Sequence, residues 1–387
     1  MAGLDSPHRQ RVALAAFVLL LVALAFARAH FASSTGIRIV GDGADYETVA
    51  ATLTLEGRAP FVYRPGVPLL VGTLFAGNLT LGFAVVCALA MFAALYTAGA
   101  LAPDTLAGYG IAAVLFFNYQ VLFAAANPAR IDMVVLAVQL AFVALALRRN
   151  LTLYFGLLPL CALLKESMLL SLGMLALVAF PRNRRTLQPA AAAGAAFLLL
   201  HATVRMASTP TAHMPPYNGS VPALTAVRQM LASNLSMLTP LDMFVAWSGL
   251  CFIVLWVVFG GDGERRDPLL PGAAAFLIVF PLALVTDVHR AWFELLAPLA
   301  LFLLLPRLTS ERRAMVYPAL ALALAASVIP YVVRFVADDH LFLLVLENRW
   351  PAAALLGLAL SLATAAGALY CWRWGSFGAS ATVANSR

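Results

Sequence analysis

Lysine is almost absent from this 387-residue chain, and charge of either sign is scarce. Of its 25 lysine and arginine side chains, Lys165 is the only lysine and the remaining 24 are arginines. Charged residues make up 11% of the sequence and hydrophobic residues 63%, which is more apolar surface than a soluble domain of this size needs to bury. The composition therefore excludes an ordinary soluble protein.

Cysteine is rare as well. The four cysteines all lie inside apolar runs, at Cys87, Cys161, Cys251 and Cys371. This placement gives neither a disulfide framework nor the spacing of metal ligands, so we interpret them as small buried hydrophobic residues. We expect no cofactor. A divalent metal is compatible with the sequence, but no ligand set supports one.

Long apolar stretches, by contrast, recur along the whole chain and indicate helices that cross a bilayer. Cutting the sequence at charges and turn residues predicts about twelve crossings. They lie at 11–29, 80–100, 107–126, 129–147, 151–164, 167–180, 188–205, 241–260, 269–286, 289–305, 314–333 and 351–372. We predict an all-α polytopic membrane protein whose residues 1–387 form one transmembrane domain. Its core is residues 11–306, and residues 307–387 add C-terminal transmembrane helices.

The arginines predict the orientation of these helices. They cluster in alternate short connections: Arg148 and Arg149, then Arg182, Arg184 and Arg185, then Arg265 and Arg266, then Arg307, Arg312 and Arg313. By the positive-inside rule these connections and both termini are cytoplasmic, and the net charge of +7 falls on that side. The basic balance thus offers no case for nucleic acid binding. Frequent Ala and Arg suggest a bacterial chain, so we expect the bacterial inner membrane.

The single lysine lies beside Glu166 at the tip of a predicted short hairpin. Only the 32 residues from 150 to 181 separate Arg149 from Arg182, whereas two crossings of a bilayer core need about 40 residues. The tip should therefore lie below the outer surface. Ionisable groups at that depth are costly and usually functional. The alternative is a structural Lys165–Glu166 pair that closes the tip.

The first outer connection, residues 30–79, contains a predicted helix at 44–56. Its two faces are Asp45, Thr48, Thr52 and Glu56 on one side and Tyr46, Val49, Ala50 and Leu53 on the other. With Gly57 as its C-cap, this amphipathic helix is expected to lie on the membrane surface. Asp42 precedes it, either as its N-cap or as a catalytic carboxylate, and Asp45 adds a second acid.

Three later segments add ionisable side chains on the same predicted side. In FVYRPGVPLL a stiff turn enters the membrane beside Tyr63 and Arg64, and Arg64 either snorkels or binds phosphate. In NPARIDMVVL, Asn127 and Pro128 are expected to begin a helix whose first turn holds the pair Arg130 and Asp132. The segment DVHRAWFELLAPL supplies His289, with Arg290 and Glu294 on one helical face.

Each motif is weak alone, but the topology places all of them outside. We therefore predict one outward-facing site with the acids Asp42, Asp132 and Glu294 and the bases Arg64, Arg130, Lys165 and Arg290. Such a set of cations suits an anionic substrate held at membrane depth.

The order of these motifs resembles the GT-C superfamily of polytopic glycosyltransferases that use polyprenyl-phosphate-linked sugars, in particular the aminoarabinose-lipid A and protein O-mannosyl branch. Asp42 four residues before Tyr46 matches the catalytic Asp after the first helix. Arg64-Pro65 followed by Pro68-Leu69 matches the basic turn that contacts phosphate. Further matches are Arg130 with Asp132, Lys165 with Glu166 in place of Gly, and Arg290 with Trp292 and Pro298.

The resemblance implies a transfer reaction with inversion at the sugar. Asp42 would take the proton of an acceptor hydroxyl, lipid or glycan, as its oxygen attacks C1 and displaces polyprenyl phosphate. Lys165, Arg64 and Arg290 would stabilise the leaving phosphate. Tyr63 stands where many members have a metal-binding acid, so the resemblance gives no metal here.

Two other classes of function fit parts of the pattern. A transporter or flippase for an anionic lipid or small anion also needs buried cations and many spans, but we find no internal repeat and no matching pair of broken helices. A non-catalytic scaffold predicts tolerance of substitution at Asp42 and Lys165.

Overall fold

A computed structural model describes residues 7–32, 42–213, 223–237, 269–284 and 288–307. Of these residues, 83% are helical, in agreement with the all-α class. In the described part of the chain, three helices are long and apolar enough to cross a membrane: His8–His30, Leu79–Ala100 and Arg184–Ala207. There are four if Thr105–Phe116 and Gln120–Ala126 form one broken span. The predicted crossings at 241–260, 314–333 and 351–372 lie outside the described residues, and twelve crossings stay a prediction.

The described elements follow one another in this order: α1 (Pro7–Ala32), α2 (Asp42–Thr52), β1 (Glu56–Ala59), α3 (Gly66–Leu74), α4 (Leu79–Ala100), α5 (Thr105–Phe116), α6 (Tyr119–Ala126), α7 (Asp132–Leu147), α8 (Leu151–Leu157), α9 (Ser167–Ala179), α10 (Arg184–Ala207), β2 (Thr209–His213), α11 (Ala223–Met237), α12 (Leu269–Leu284) and α13 (Val288–Leu304). Short 3₁₀ helices occur at Phe61–Tyr63, Leu158–Leu163 and Leu305–Arg307. Every predicted span that falls on described residues contains helix, although residues 117–118 and 129–131 within the predicted spans are not helical.

The chain divides into two compact units. The first unit comprises residues 1–101 and 120–222, and the second comprises residues 102–119 and 223–387. In the first unit, the helices α1, α4 and α10 keep large apolar side chains at the surface, such as Leu19, Leu89 and Leu199, each more than half exposed. Surfaces of this kind suit an apolar surrounding.

Helix α2 differs from the helix predicted at 44–56. It begins at Asp42 and ends at Thr52, and Leu53 follows with a φ of 52°. Gly57, the predicted C-cap, instead lies in β1. The apolar face does hold Tyr46, Val49 and Ala50, but all are buried in the protein rather than left for lipid. The prediction that the apolar face of α2 rests on the membrane was therefore wrong for these three residues.

Close contact with α3 explains why α2 is buried. A Cβ added at Gly72 would come within 2.1 Å of the Ala50 carbonyl oxygen, so only glycine allows this approach. Helix α3 itself was predicted as a turn because of its two prolines. Pro65 is its N-cap and Pro68 lies in its first turn, where a missing N–H costs no intrahelical bond.

The beginning of α7 also differs from the prediction. Asn127 and Pro128 form a turn after α6, in which Arg130 N–H donates to the Asn127 carbonyl at 3.1 Å. Helix α7 begins at Asp132, with Ile131 as its N-cap. Arg130 therefore lies before the helix and is not part of its first turn.

The hairpin predicted at 151–180 has short arms. Its first arm has 7 α-helical and 6 3₁₀ residues and its second has 13 α-helical residues. These lengths correspond to roughly 22 and 20 Å, less than the approximately 30 Å of a bilayer core. The Arg149 guanidinium donates to the Ala179 carbonyl at 2.9 Å and closes the base of the hairpin. Lys165 and Glu166 form its tip.

Two distant connections meet in a small parallel sheet that the sequence did not predict. β1 pairs with β2 over Glu56–Ala59 and Thr209–His213. The Thr209 N–H also donates to the Leu55 carbonyl at 2.8 Å. Residues 56–59 of the first predicted outer connection and residues 209–213, which follow α10, are thus adjacent.

The first unit has two ends. We call the end that contains the beginning of α7 and the hairpin tip the ion-pair end. The opposite end, with Arg148, Arg149, Arg182, Arg184 and Arg185, is the arginine end. Helix α7 runs from one to the other, from Asp132 to Leu147.

Candidate functional site

Lys165 is held by the first residue of α7. Its Nζ lies 3.5 Å from Asp132 Oδ1, and the two side chains are 9% and 6% exposed. The alternative interpretation paired Lys165 with Glu166, but Glu166 pairs with Arg64 instead. Asp132 is favourable at a helix N-terminus, and Lys165 neutralises it where little water is present.

Glu166 binds Arg64 instead. Arg64 Nε donates to Glu166 Oε2 at 2.9 Å, and Nη2 donates to the other carboxylate oxygen, which makes a bidentate pair. Burial alone would raise the pKa of Glu166, but the charge and hydrogen bonds of Arg64 outweigh it and hold the pKa at about 2. The third nitrogen of Arg64, Nη1, donates to the hydroxyl of Tyr46 at 3.2 Å. Because the Arg64 guanidinium donates to three oxygen atoms, this side chain has little freedom to move.

Asp42 lies opposite Arg130. The distance from Arg130 Nη2 to Asp42 Oδ2 is 3.7 Å, longer than a hydrogen bond, and the Asp42 side chain is 19% exposed. The Arg130 guanidinium packs over the Phe123 ring at 4.6 Å. Its buried Nε has no hydrogen-bond partner among the described residues. Of the four carboxylates paired at this end, Asp42 therefore has the longest distance to its cation, and Asp132 follows at 3.5 Å.

Asp45 is bound more tightly. Arg58, in β1, donates to Asp45 Oδ2 at 2.7 Å. Burial raises the pKa of the Asp45 carboxyl; Arg58 opposes this rise, and the charge of Asp42 adds to it. Asp45 thus supports the position of β1 against α2.

These contacts form a closed circuit of side chains around the ion-pair end. Asp42 contacts Arg130, which lies two residues before Asp132; Asp132 contacts Lys165; the adjacent Glu166 contacts Arg64; and Arg64 contacts Tyr46. Tyr46 is one helical turn from Asp42 on α2. Residues from four separate segments of the chain are brought together in this way, as the sequence predicted for the part of the site that lies in this unit.

Two residues of the same end were missed. The Arg205 guanidinium lies 4.8 Å from the centroid of the Tyr63 ring, and His201 packs edge-on to that ring at 6.4 Å. Both lie on α10, four residues apart and hence on one face. Among the described residues Arg205 has no carboxylate partner. The sequence HATVR, which interrupts an apolar run, was a usable signal for them.

The remaining predicted residues lie in the second unit, on α13. Arg290 Nε is 3.7 Å from Glu294 Oε1, so the i, i+4 pair exists, and the two side chains are 8% and 2% exposed. The side chain of His289 is outside the described part of the chain. Whether these residues join the circuit therefore stays a prediction.

The ion-pair end contains four ion pairs: Asp42, Asp45, Asp132 and Glu166 face the cations Arg130, Arg58, Lys165 and Arg64, respectively. Two further carboxylates, Glu47 on α2 and Glu56 in β1, lie at the same end. Arg205 adds one positive charge. An anion bound here would find Arg205 available, and Asp42 lies at the same end as a candidate proton acceptor. In the described residues no group of three His, Cys, Asp or Glu side chains could hold a metal ion.

A scan of protein-family models gives no match to this chain, and neither the curated proteins nor the solved structures contain a significant match.

Proposed function

We propose that this protein is a membrane glycosyltransferase of the bacterial inner membrane. It moves a sugar from a polyprenyl-phosphate carrier to a lipid or glycan acceptor on the outer, periplasmic side. The observation that carries the proposal is the circuit at the ion-pair end. Motifs from four segments, chosen from sequence for their order and their predicted side, lie together there beside helices long and apolar enough to cross a bilayer.

In this proposal Asp42 is the general base. It accepts the proton of the acceptor hydroxyl while that oxygen forms a bond with the sugar C1, and the bond from C1 to the phosphate oxygen breaks with inversion. The polyprenyl phosphate leaves with the electron pair. The looseness of the Asp42–Arg130 contact supports this role, because a base must be able to approach its substrate.

The leaving phosphate needs cations that are not already neutralised. Lys165 and Arg64 were expected to supply them, yet both are engaged by carboxylates. Arg205, which has no carboxylate partner among the described residues, therefore meets the phosphate first. Lys165 and Arg64 keep the circuit in position and add to its positive potential as charge develops on the phosphate.

The test is a comparison of lipids and glycans from a deletion strain and from strains that carry the wild-type gene or Asp42→Asn. We expect the deletion to remove a glycosylated product and Asp42→Asn to restore it about 10²–10⁴-fold more slowly than wild type, because the amide cannot accept the proton. Glu47→Gln is the matched control, since Glu47 lies on the same helix and outside the circuit. A deletion without any glycosylation change would disprove the proposal. Near wild-type activity of Asp42→Asn would move the base to Asp45 or Asp132.

One observation favours the rival function, transport or flipping of an anionic lipid. Ion pairs that exist without substrate can exchange partners when an anion binds and is released. The same strains separate the two functions. A transporter would change the side on which an anionic lipid accumulates and would leave every glycosidic linkage in place.

A further inference from the structure

The arginine end contains a narrow cleft between α9 and α10 that the proposed reaction does not use. One wall is aromatic, since the rings of Phe155 and Phe180 lie 5.8 Å apart at its edge. Gly173 on α9 and Gly194 on α10 both line the cleft, and neither has a side chain that would fill it. A Cβ added at either glycine would meet nothing within 4 Å.

Thr186, which carries a buried hydroxyl group, also lines this cleft. Thr186 is only 5% exposed, and its Oγ1 has no hydrogen-bond partner in the described part of the chain. Its backbone N–H is already satisfied by Asn183 Oδ1 at 3.2 Å. A buried hydroxyl without a partner costs about 1–3 kcal/mol, so a polar atom of a ligand would satisfy it.

The mouth of the cleft is positively charged. Arg182 lines it, and Arg184 and Arg185 begin α10 directly beside it; all three are exposed. The Arg182 Nε donates to the Leu177 carbonyl at 3.4 Å, and the connection at 180–186 contains no carboxylate. The N-terminus of α10 adds a partial positive charge. This mouth is complementary to an anion.

The size of the cleft restricts the ligand further. Its volume is about 90 Å³, well below the approximately 300–1,000 Å³ of sites that enclose a whole small molecule. Only part of a ligand can enter, and the lining is apolar except at the mouth. A molecule with an anionic head and a hydrocarbon chain has this form.

We propose that the α9–α10 cleft binds an anionic phospholipid of the inner leaflet. One acyl chain lies between Gly173 and Gly194, the phosphate lies at Arg182 and Arg185, and an ester or glycerol oxygen accepts the hydroxyl hydrogen of Thr186. Basic pockets between helices on the cytoplasmic side commonly bind such headgroups. The inference rests on the membrane placement proposed above and is independent of the transfer reaction.

The experiment measures lipid binding to the purified full-length chain in detergent, by native mass spectrometry and by the shift in melting temperature. The probes are phosphatidylglycerol and phosphatidylcholine. We expect wild type to retain phosphatidylglycerol at least about tenfold better, a difference of about 1.4 kcal/mol. Gly173→Leu fills the cleft and should abolish this preference. Gly156→Leu is the matched control, because a Cβ there also meets nothing within 4 Å and Gly156 does not line the cleft.

Two further variants test the polar contacts. Arg182→Gln should weaken phosphatidylglycerol retention, whereas Arg148→Gln, an exposed arginine of the same end outside the cleft, should not. Thr186→Val preserves side-chain shape, so reduced retention in a folded variant would report the hydroxyl contact. Equal retention of the two lipids by wild type, or normal preference in Gly173→Leu, would overturn the proposal. Asp42→Asn should bind lipid normally, which separates this result from the proposed reaction.

Discussion

The two ends of the first unit use charge in opposite ways. At the ion-pair end, Asp42, Asp45, Asp132 and Glu166 each have a cationic partner, and the pair Lys165–Asp132 is almost fully buried. At the arginine end, Arg149 and Arg182 donate to backbone carbonyls, and the connections at 148–150 and 180–186 contain no carboxylate. Balanced charge can be buried at a tolerable free-energy cost, whereas unbalanced charge must stay exposed and attracts anions from outside the chain.

The glycines of the two ends also differ in how closely other atoms pack around them. At the ion-pair end Gly72 is packed against the backbone of Ala50, and an added Cβ would overlap it. At the arginine end Gly173 and Gly194 border open space. The first glycine fixes the position of α2 and hence of Asp42, and the other two keep a cleft open. The ion-pair end therefore needs rigid positioning, whereas the arginine end offers room for a ligand.

Lys165→Met should produce the largest effect, because it leaves the buried carboxylate of Asp132 without its cation. We expect a loss of about 3–5 kcal/mol in the free energy of unfolding. Combining it with Asp132→Leu should recover most of that loss, since a buried pair is often replaceable by apolar residues. Chemical unfolding in detergent is the measurement.

Arg182→Gln provides the comparison from the arginine end, where the same type of charge removal should change stability by about 0.5 kcal/mol or less.

If Lys165→Met unfolds like wild type but no longer binds carrier, the lysine is a ligand group and its pairing with Asp132 contributes little. If it is strongly destabilised and the folded fraction still binds carrier, Lys165 is structural.

Gly72→Ala should come next in size. Its Cβ would force α2 away from α3 and cost about 1–3 kcal/mol, as overpacking generally does. Because α2 carries both Asp42 and Tyr46, transfer should fall along with stability. Gly77→Ala is the control, since a Cβ there meets nothing within 4 Å. Unchanged melting of Gly72→Ala would show that α2 is not fixed by this contact.

The sequence predicted the parts of this unit that depend on apolar periodicity and on charge placement. The spans at 80–100 and 188–205 differ from α4 and α10 by only a few residues, because long apolar runs bounded by charges leave little choice. The convergence of Asp42, Arg130 and Lys165 was also predictable, since it follows from counting crossings between arginine clusters.

The pairing of the charges and the local starts and ends of elements were not predictable in the same way. Lys165 is adjacent to Glu166 in sequence, yet adjacent residues at a helix start point in different directions, so Asp132 and Arg64 become their partners. The strand β1 depends on β2, more than 150 residues later, and no local pattern indicates it. Gly57 was predicted as the C-cap of α2 because no local pattern indicates the strand that contains it.

Arg205→Gln should reduce transfer with little effect on folding. Its guanidinium lies over Tyr63 and has no carboxylate partner among the described residues, so no buried charge is left behind. A lost charged hydrogen bond of about 1.5–3 kcal/mol corresponds to roughly 10–100-fold slower transfer. Arg228→Gln, an exposed arginine on α11, is the control. Full activity of Arg205→Gln would exclude Arg205 from the phosphate site.

The smallest expected effect concerns the pH dependence of the Arg64–Glu166 pair. The pKa of Glu166 is lowered to about 2 in the folded chain from a usual value of 4.5, so the pair stabilises the fold fully above about pH 4.5. That contribution declines as pH falls from 4.5 towards 2, because protonation of the carboxylate then becomes more favourable in the unfolded chain. Glu166→Gln cannot titrate and should lack this part of the acid sensitivity.

Because the Glu166 side chain is 42% exposed, water screens the pair and the difference should be modest. The measurement is the melting temperature of both forms from pH 7 to pH 2.5. Parallel curves over that range would mean that Arg64 does not hold Glu166 ionised, and the circuit would then be open at this pair.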